Sequence, residues 1–462
     1  TVDGNINTSA GNATGDILLK GTGNITQNAG KTITTNGGDL TLWSDSDGNN
    51  DGMISLSSDV TTNGGHVWMG GGNGSASWNG LSVGNGFAIG NATNSNGLVM
   101  TGSTLSTAGG NVAIYAKSRA GVAVTGVTGN TNGVRLLNGN TINSGTGTIY
   151  IKGYAQGTNG SSNGIEFSGG TADLITSANT TSDAIVLDGE TVAVPASVND
   201  GWGIYGWAAT IQATADGGGV SLTGKGSKNN GVTIPASAAV LAKSGPIKLT
   251  GSGFGTGYNS VEIAGVVGAK TGTGVTVSSS NVEITGDTFL GSAGSIVTSG
   301  QLTFESFGTS FSAPFSLSNL TLSNALSGLT LGKTTNTAGI TLGTEATIAG
   351  PITLHGGALA INAAATATNS TIKLNATGAV TQTAALAANN LLLQGSGSFT
   401  LTNTNNNIGT VAGGTNAARL GAVSLTDATG GLTVGTVGAV NGVYASGNVL
   451  VETLSGDINL TE

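Results

Sequence analysis

The densest run of possible ligands in this 462-residue chain is Asp45-Ser-Asp47-Gly-Asn49-Asn-Asp51-Gly. Its side-chain oxygens alternate around a Gly-rich turn, as hard cations such as Ca2+ require. A helix-loop-helix calcium loop would close on a bidentate Glu eleven residues after Asp45, where this chain has Leu56. Two readings stay open for Asp45, Asp47, Asn49 and Asp51: a Ca2+ site, or a polar turn that needs no metal. Ca2+ is the one cofactor the sequence suggests.

The two histidines, His66 in Gly-Gly-His-Val-Trp and His355 in Leu-His-Gly-Gly, have no His or Cys companion and read as strand-end residues. With no Cys there is no thiol nucleophile, no Cys-based zinc site and no disulfide. The enzyme class to test is a polysaccharide lyase or hydrolase, in which two carboxylates act across a glycosidic bond; Asp173, Asp183 and Asp188 are its first candidates. The 14 Lys plus Arg form no cluster that would hold uronates, so these acids read as solvated loop residues and no catalytic residue is assigned.

Aromatic residues fall in three groups: Trp43, Trp68 and Trp78; Trp202, Tyr205 and Trp207; and Phe304, Phe307, Phe311 and Phe315. Exposed, they would hold sugar rings or a partner; buried, they would fill wide places in the fold. The four Phe residues are the expected subunit contact.

Composition narrows the setting. The chain has 82 Gly, 5 Pro and 8% charged residues, far from the usual profile of a globular enzyme. Disorder is disfavoured, because 37% of residues are apolar and mean hydropathy is +0.15. The net charge of −9 comes without a basic stripe, which argues against a nucleic-acid partner. No run approaches the roughly 18 apolar residues of a membrane-spanning helix, so no transmembrane segment is expected.

The elements that must position these residues recur as one phrase, a Gly-polar turn followed by apolar-x-apolar. It appears as Gly15-Asp-Ile-Leu-Leu19, Gly38-Asp-Leu-Thr-Leu42, Gly110-Asn-Val-Ala-Ile114, Gly147-Thr-Ile-Tyr-Ile151 and Gly456-Asp-Ile-Asn-Leu460. A longer unit opens on Gly97-Leu, Gly133-Val, Gly164-Ile, Gly203-Ile, Gly231-Val and Ser260-Val, 28 to 39 residues apart. Later, Gly328-Leu-Thr-Leu331, Gly339-Ile-Thr-Leu342 and Gly350-Pro-Ile-Thr-Leu354 follow at eleven-residue steps, two of which would make one coil.

Alternation is of period 2 throughout, with no sustained helical stripe. Short strands at a variable period of 20 to 40 residues predict an elongated all-β parallel β-helix, a solenoid whose insertions loop out between rungs. Three stretches are expected: 1–96, coils with the Asp/Asn-rich loop; 97–300, longer-period coils; 301–462, shorter-period coils. Neither end reads as a cap, which predicts continuation into a longer chain or end-to-end stacking.

Leu391-Leu-Leu-Gln-Gly-Ser-Gly-Ser-Phe-Thr-Leu-Thr-Asn, Gly431-Leu-Thr-Val-Gly-Thr-Val and Ala445-Ser-Gly-Asn-Val-Leu-Val resemble the repeats of filamentous-haemagglutinin-like exoproteins, and 15–60 looks similar. The resemblance implies a right-handed parallel β-helix on a Gram-negative cell surface, exported by a two-partner or autotransporter-like route and used in adhesion, aggregation or sheathing. The expected function is thus an extracellular structural or adhesive solenoid, a stalk, sheath or filament subunit, and not an enzyme. Its expected partners are itself, as a homopolymer or within a longer parent chain, and host or matrix glycans. The alternative is a carbohydrate-active or carbohydrate-binding β-helix protein.

Overall fold

A chain that returns repeatedly beside its own previous turn needs residues at each corner that tolerate close backbone approach. The computed structural model describes residues 1–10, 13–120, 131–157, 160–192, 198–253, 257–428 and 430–461. Its regular elements there are all β, with no α-helix among the described residues. Two units are distinguished, Thr1–Ser278 and Ser279–Glu462.

In the first unit the chain cycles through three sheets in fixed order. Sheet I contains Ile17–Lys20, Leu40–Trp43, Val67–Trp78, Val112–Lys117, Ile149–Ala155, Ile185–Thr191, Val220–Lys225 and Ile247–Ser252, successive strands pairing in parallel. In sheet II, Ile25 pairs with Ile54, Ile54 with Leu98, and the parallel register continues through Val134, Ile165, Ile204 and Val232 to Val261. Sheet III runs likewise from Ile6 through Ile33, Val60, Leu105, Ile142, Ile175, Ile211 and Val240 to Val267. This is the parallel β-helix expected from the sequence. The Asn-Gly-apolar phrases are the sheet II strand starts, and their uneven spacing is loop length: 36 residues separate Leu98 from Val134, and 28 separate Ile204 from Val232.

Each corner is held by a column of like residues. At the entry to sheet I, Thr35, Thr62, Thr107 and Ser144 are fully buried. The Thr35 hydroxyl bonds to the Thr62 carbonyl at 3.0 Å, and that of Thr107 to the Ser144 carbonyl at 3.2 Å. Three residues later comes a column of glycines. A Cβ on Gly65 would lie 1.9 Å from the Gly38 carbonyl oxygen, and one on Gly110 would lie 1.9 Å from that of Gly65. Only Gly lets the coils stack there, which explains why the phrase opens on it. At the entry to sheet II, asparagines repeat the device: the Asn132 N–H donates to Asn96 Oδ1 at 2.9 Å and the Asn163 N–H to Asn132 Oδ1 at 3.1 Å.

Alternate strand residues point inward. Met69, Ile114, Ile151, Leu187, Leu222 and Leu249 form one column of sheet I and have 0–2% of their surface exposed. Burying each such side chain contributes about 1.5–3 kcal/mol, so the stack is stabilised rung by rung.

The second unit has the same architecture with tighter coils. One ladder runs through Val282, Leu302, Leu329, Ile352, Ile372, Leu391 and Val411. Another runs through Phe315, Ile340, Leu359, Val380, Phe399 and Val423, and a third contains Ala346, Ala365 and Leu386. The eleven-residue steps are thus a hop from the first ladder (Leu329) to the second (Ile340) and back (Ile352). Strands Ala365–Ala376 and Leu386–Gln394 pass through two ladders without a break, with one register irregularity between Ala367 and Thr371.

The expected Phe contact surface lies mostly inside this unit. Phe304, Phe311 and Phe315 are 1%, 4% and 3% exposed, and only Phe307, at 49%, reaches solvent. Phe311 stacks on Phe315 at 4.6 Å, and Phe289 meets Phe304 edge-on at 4.9 Å. Large rings gain more from mutual packing than from water contact, so the group fills the interior and leaves Phe307 alone as a surface residue.

Candidate binding cleft on the outer face of sheet I

One strand leaves the solenoid. Val67–Trp78 pairs in sheet I through its first residues, then continues outward as one arm of an antiparallel hairpin whose other arm is Leu81–Gly86. Asn79 and Gly80 make the two-residue turn with φ of 46° and 84°, both positive as a type I′ turn demands. The fold-back is tight: a Cβ on Gly71 would fall 2.3 Å from the Phe87 carbonyl oxygen.

The hairpin covers the outward residues of sheet I. Trp43 and Trp68, on the outer side of their strands, are 3% and 2% exposed, packed with Val83 and Ala113. The Trp43 indole N–H donates to the Gly72 carbonyl at 2.6 Å, and the Lys20 ammonium stands 3.6 Å from the Trp43 ring centroid. These tryptophans are buried, yet outside the solenoid core, where they anchor the hairpin.

Beside this anchor an open cleft of about 420 Å³ is lined by Trp68, Trp78, Phe87, Tyr115, Tyr150 and Lys152, with Asn85 on the hairpin arm. Its rings form a continuous surface: Trp68 to Tyr115 is 6.3 Å, Phe87 to Tyr115 is 6.2 Å edge-on, and Tyr115 to Tyr150 is 5.5 Å. Register creates this row, because Ala113 pairs with Tyr150 and Tyr115 with Lys152 across adjacent coils. Burial pushes the Tyr115 and Tyr150 phenols above their usual range, so both are neutral donors at physiological pH. Lys152 bonds to Asp188 at 2.8 Å, which raises its pKa and fixes its charge. Next to it, Lys117 stands 5.0 Å from the Tyr154 ring centroid, and Lys225 pairs with Glu190 at 2.7 Å.

His66 opens the strand that becomes the hairpin. Its N–H donates to Asp39 Oδ1 at 2.6 Å, and its Nδ1 accepts the Asn111 N–H at 2.9 Å. It is one rung in a ladder in which the Asp39 N–H donates to Asp16 and the Thr148 N–H to Asn111. Its ring also meets Trp78 edge-on at 5.8 Å.

The Asp45 loop is closed by its own hydrogen bonds. Asp45 is 1% exposed, and its Oδ1 accepts the N–H groups of Asn50 at 3.0 Å and Asp51 at 3.3 Å. The Asn49 amide donates to Asp47 Oδ2 at 2.9 Å. Burial raises the Asp45 pKa against the pull of those amides. Among the described residues no three His, Cys, Asp or Glu side chains form a metal-holding group.

The three acids suggested for glycoside chemistry do not converge. Asp173 begins a sheet III strand and is buried against Asn140, Asp183 is exposed in a loop, and Asp188 lies on the outer face of sheet I. Trp202 and Tyr205 stack at 4.4 Å on sheet II, with Trp207 62% exposed beside them. The cleft residues Phe87, Tyr115, Tyr150 and Lys152 escaped sequence reasoning. Aligning Gly110-Asn-Val-Ala-Ile-Tyr115 on Gly147-Thr-Ile-Tyr-Ile-Lys152 would have found three of them, since that alignment is the observed register.

Together, the fold and the cleft define a parallel β-helix that carries an aromatic-lined cleft on the outside of one sheet. Comparison with known proteins finds no matching family model, no matching curated protein and no matching solved structure. No helix among the described residues is long and apolar enough to cross a membrane.

Proposed function

We propose that the chain is an adhesive β-solenoid of an extracellular surface, and that it holds glycans in the cleft under the hairpin. The observation that carries this reading is the partly exposed pair Tyr115 and Tyr150, continuous with the buried Trp68, beside Trp78 and flanked by Asn85 and Lys152. Sugar rings present apolar C–H faces and a rim of hydroxyls. Aromatic faces with a few fixed polar groups at the edge complement both. The resemblance of 15–60 and of the region after 391 to filamentous-haemagglutinin-like repeats supports the surface setting.

Saccharide titration followed by tryptophan fluorescence and nuclear magnetic resonance tests the reading. Trp78→Ala should weaken binding about tenfold, equivalent to about 1.4 kcal/mol, while the melting temperature changes little because Trp78 is only half-buried. A parent protein that binds no saccharide in a broad glycan panel sinks it.

A second reading, that a further coil covers the last one, supplied by another copy or by a longer parent chain, is supported by a different observation. Val449, Leu450, Leu454 and Leu460 are 49%, 58%, 53% and 76% exposed on strands or turns that also offer unpaired parallel backbone. Light scattering and electron microscopy of the purified chain test the self-assembled form; a strict monomer at all concentrations argues against it.

A further inference from the structure

Charge on the outer face of sheet I is distributed differently from the rest of the chain. The whole sequence carries 14 Lys plus Arg against 23 Asp plus Glu. Yet the outward positions of the five strands from Val112–Lys117 to Ile247–Ser252 hold Lys117, Lys152, Lys225 and Lys248 against Asp188 and Glu190 alone. Two of these lysines are paired, Lys152 with Asp188 and Lys225 with Glu190. Lys117 has no carboxylate partner among the described residues, and its ammonium lies over the Tyr154 ring.

Register puts this surplus at one end of the cleft. Lys152, paired with Tyr115, lines it, and Lys117 is the next outward residue after Tyr115, just outside the lining with its ammonium 5.0 Å from the Tyr154 ring centroid. An acidic loop, Asp45 to Asp51, follows the Trp43 strand, two coils before the strand of Lys117. The cleft is therefore polarised along its length, apolar in the middle and cationic toward Lys117.

We infer, resting on the saccharide reading above, that the ligand is an acidic saccharide whose ring stacks on Tyr115 and Tyr150 and whose carboxylate is received by Lys117 and Lys152. Lys152 has three N–H donors, so bonding to Asp188 leaves others for a ligand. A hydrogen bond between two ionised groups is roughly twice as strong as a neutral one. A neutral saccharide would leave the Lys117 charge unanswered. Carboxylate-bearing sugars match both the apolar and the cationic wall.

The test uses tetrameric uronates, of galacturonate, mannuronate and glucuronate-containing hyaluronan types, each beside its carboxyl-reduced counterpart, titrated into the full chain at low and high salt. At least one uronate should bind about tenfold tighter than its reduced form, with affinity falling as salt rises. Lys117→Gln and Lys152→Gln should each erase most of that preference. Lys248→Gln, farther along the same face, should keep it, and melting curves show whether each variant is folded. Equal, salt-insensitive binding of acidic and reduced forms overturns the acidic class and leaves the saccharide cleft standing. Uronate preference that survives in folded Lys117→Gln and Lys152→Gln overturns the assignment to these lysines. Binding of neither form in any pair overturns this inference and counts against the saccharide reading too.

Discussion

The Nδ1 of His66 accepts the backbone N–H of Asn111 at 2.9 Å, so a histidine occupies a position that Asp16, Asp39 and Asn111 fill in neighbouring coils of the same ladder. What the position requires is an acceptor two bonds beyond Cβ, not an imidazole. His66→Asn should therefore leave the melting curve within about 0.5 kcal/mol of the parent, whereas His66→Ala should cost about 1 kcal/mol through the unanswered Asn111 amide. Chemical denaturation of the two variants side by side measures the difference. Equal losses would show that the imidazole's contact with Trp78, rather than its acceptor, matters.

The glycine column sets a harder limit. At Gly65 a methyl group would meet the Gly38 carbonyl oxygen at 1.9 Å, and that atom belongs to backbone that cannot swing away. Gly65→Ala is expected to destabilise the first unit by more than about 3 kcal/mol, in the range of severe core disruption. Gly80→Ala at the hairpin turn is a useful contrast. Nothing lies within 4 Å of its Cβ position, and only the φ of 84° is unfavourable, a cost of about 1–2 kcal/mol. Thermal melts that rank the two the other way would contradict the stacking explanation.

Much of this architecture was legible because its determinants are local and repeated. Asn132-Gly-Val and Asn163-Gly-Ile look alike in sequence because both supply an asparagine to the ladder, a glycine to the corner and an aliphatic to the core. The cleft was harder to see. Tyr115 and Tyr150 become neighbours only through a register between distant coils, and Lys117 and Lys152 cluster for the same reason, although the lysines look scattered along the chain. The Phe group misled differently. Phe304 reads as a surface candidate by composition, but it lies at an inward position paired with Ile284 and Leu331.

The Asp45 loop separates two kinds of carboxylate. Asp45 is buried and caps two amides, while Asp47 is exposed and bonded to Asn49. Asp45→Ala should lower stability by about 1–3 kcal/mol through the orphaned amides, whether or not chelator is present. Asp47→Ala should change it by less than about 0.5 kcal/mol. A loss that appears for both variants only when Ca2+ is supplied to the parent would instead favour an ion in the loop.

His355 carries the clearest pH prediction. Burial first, and the Lys373 charge second, push its imidazole below its ordinary value of 6.5, while its Nδ1 lies 3.1 Å from the Asn375 amide nitrogen. In the unfolded chain the ring takes up a proton near pH 6.5, whereas in the folded chain it resists until lower pH. The unfolded state therefore binds more protons in between, and stability falls as pH drops from about 6.5 toward the lowered folded value. Above about 6.5 the ring is neutral in both states and its contribution is complete. His355→Gln keeps a partner for Asn375 but cannot titrate. Between pH 7.5 and about 5 the parent should lose more stability than this variant, and parallel curves would show that the His355 proton is not linked to folding.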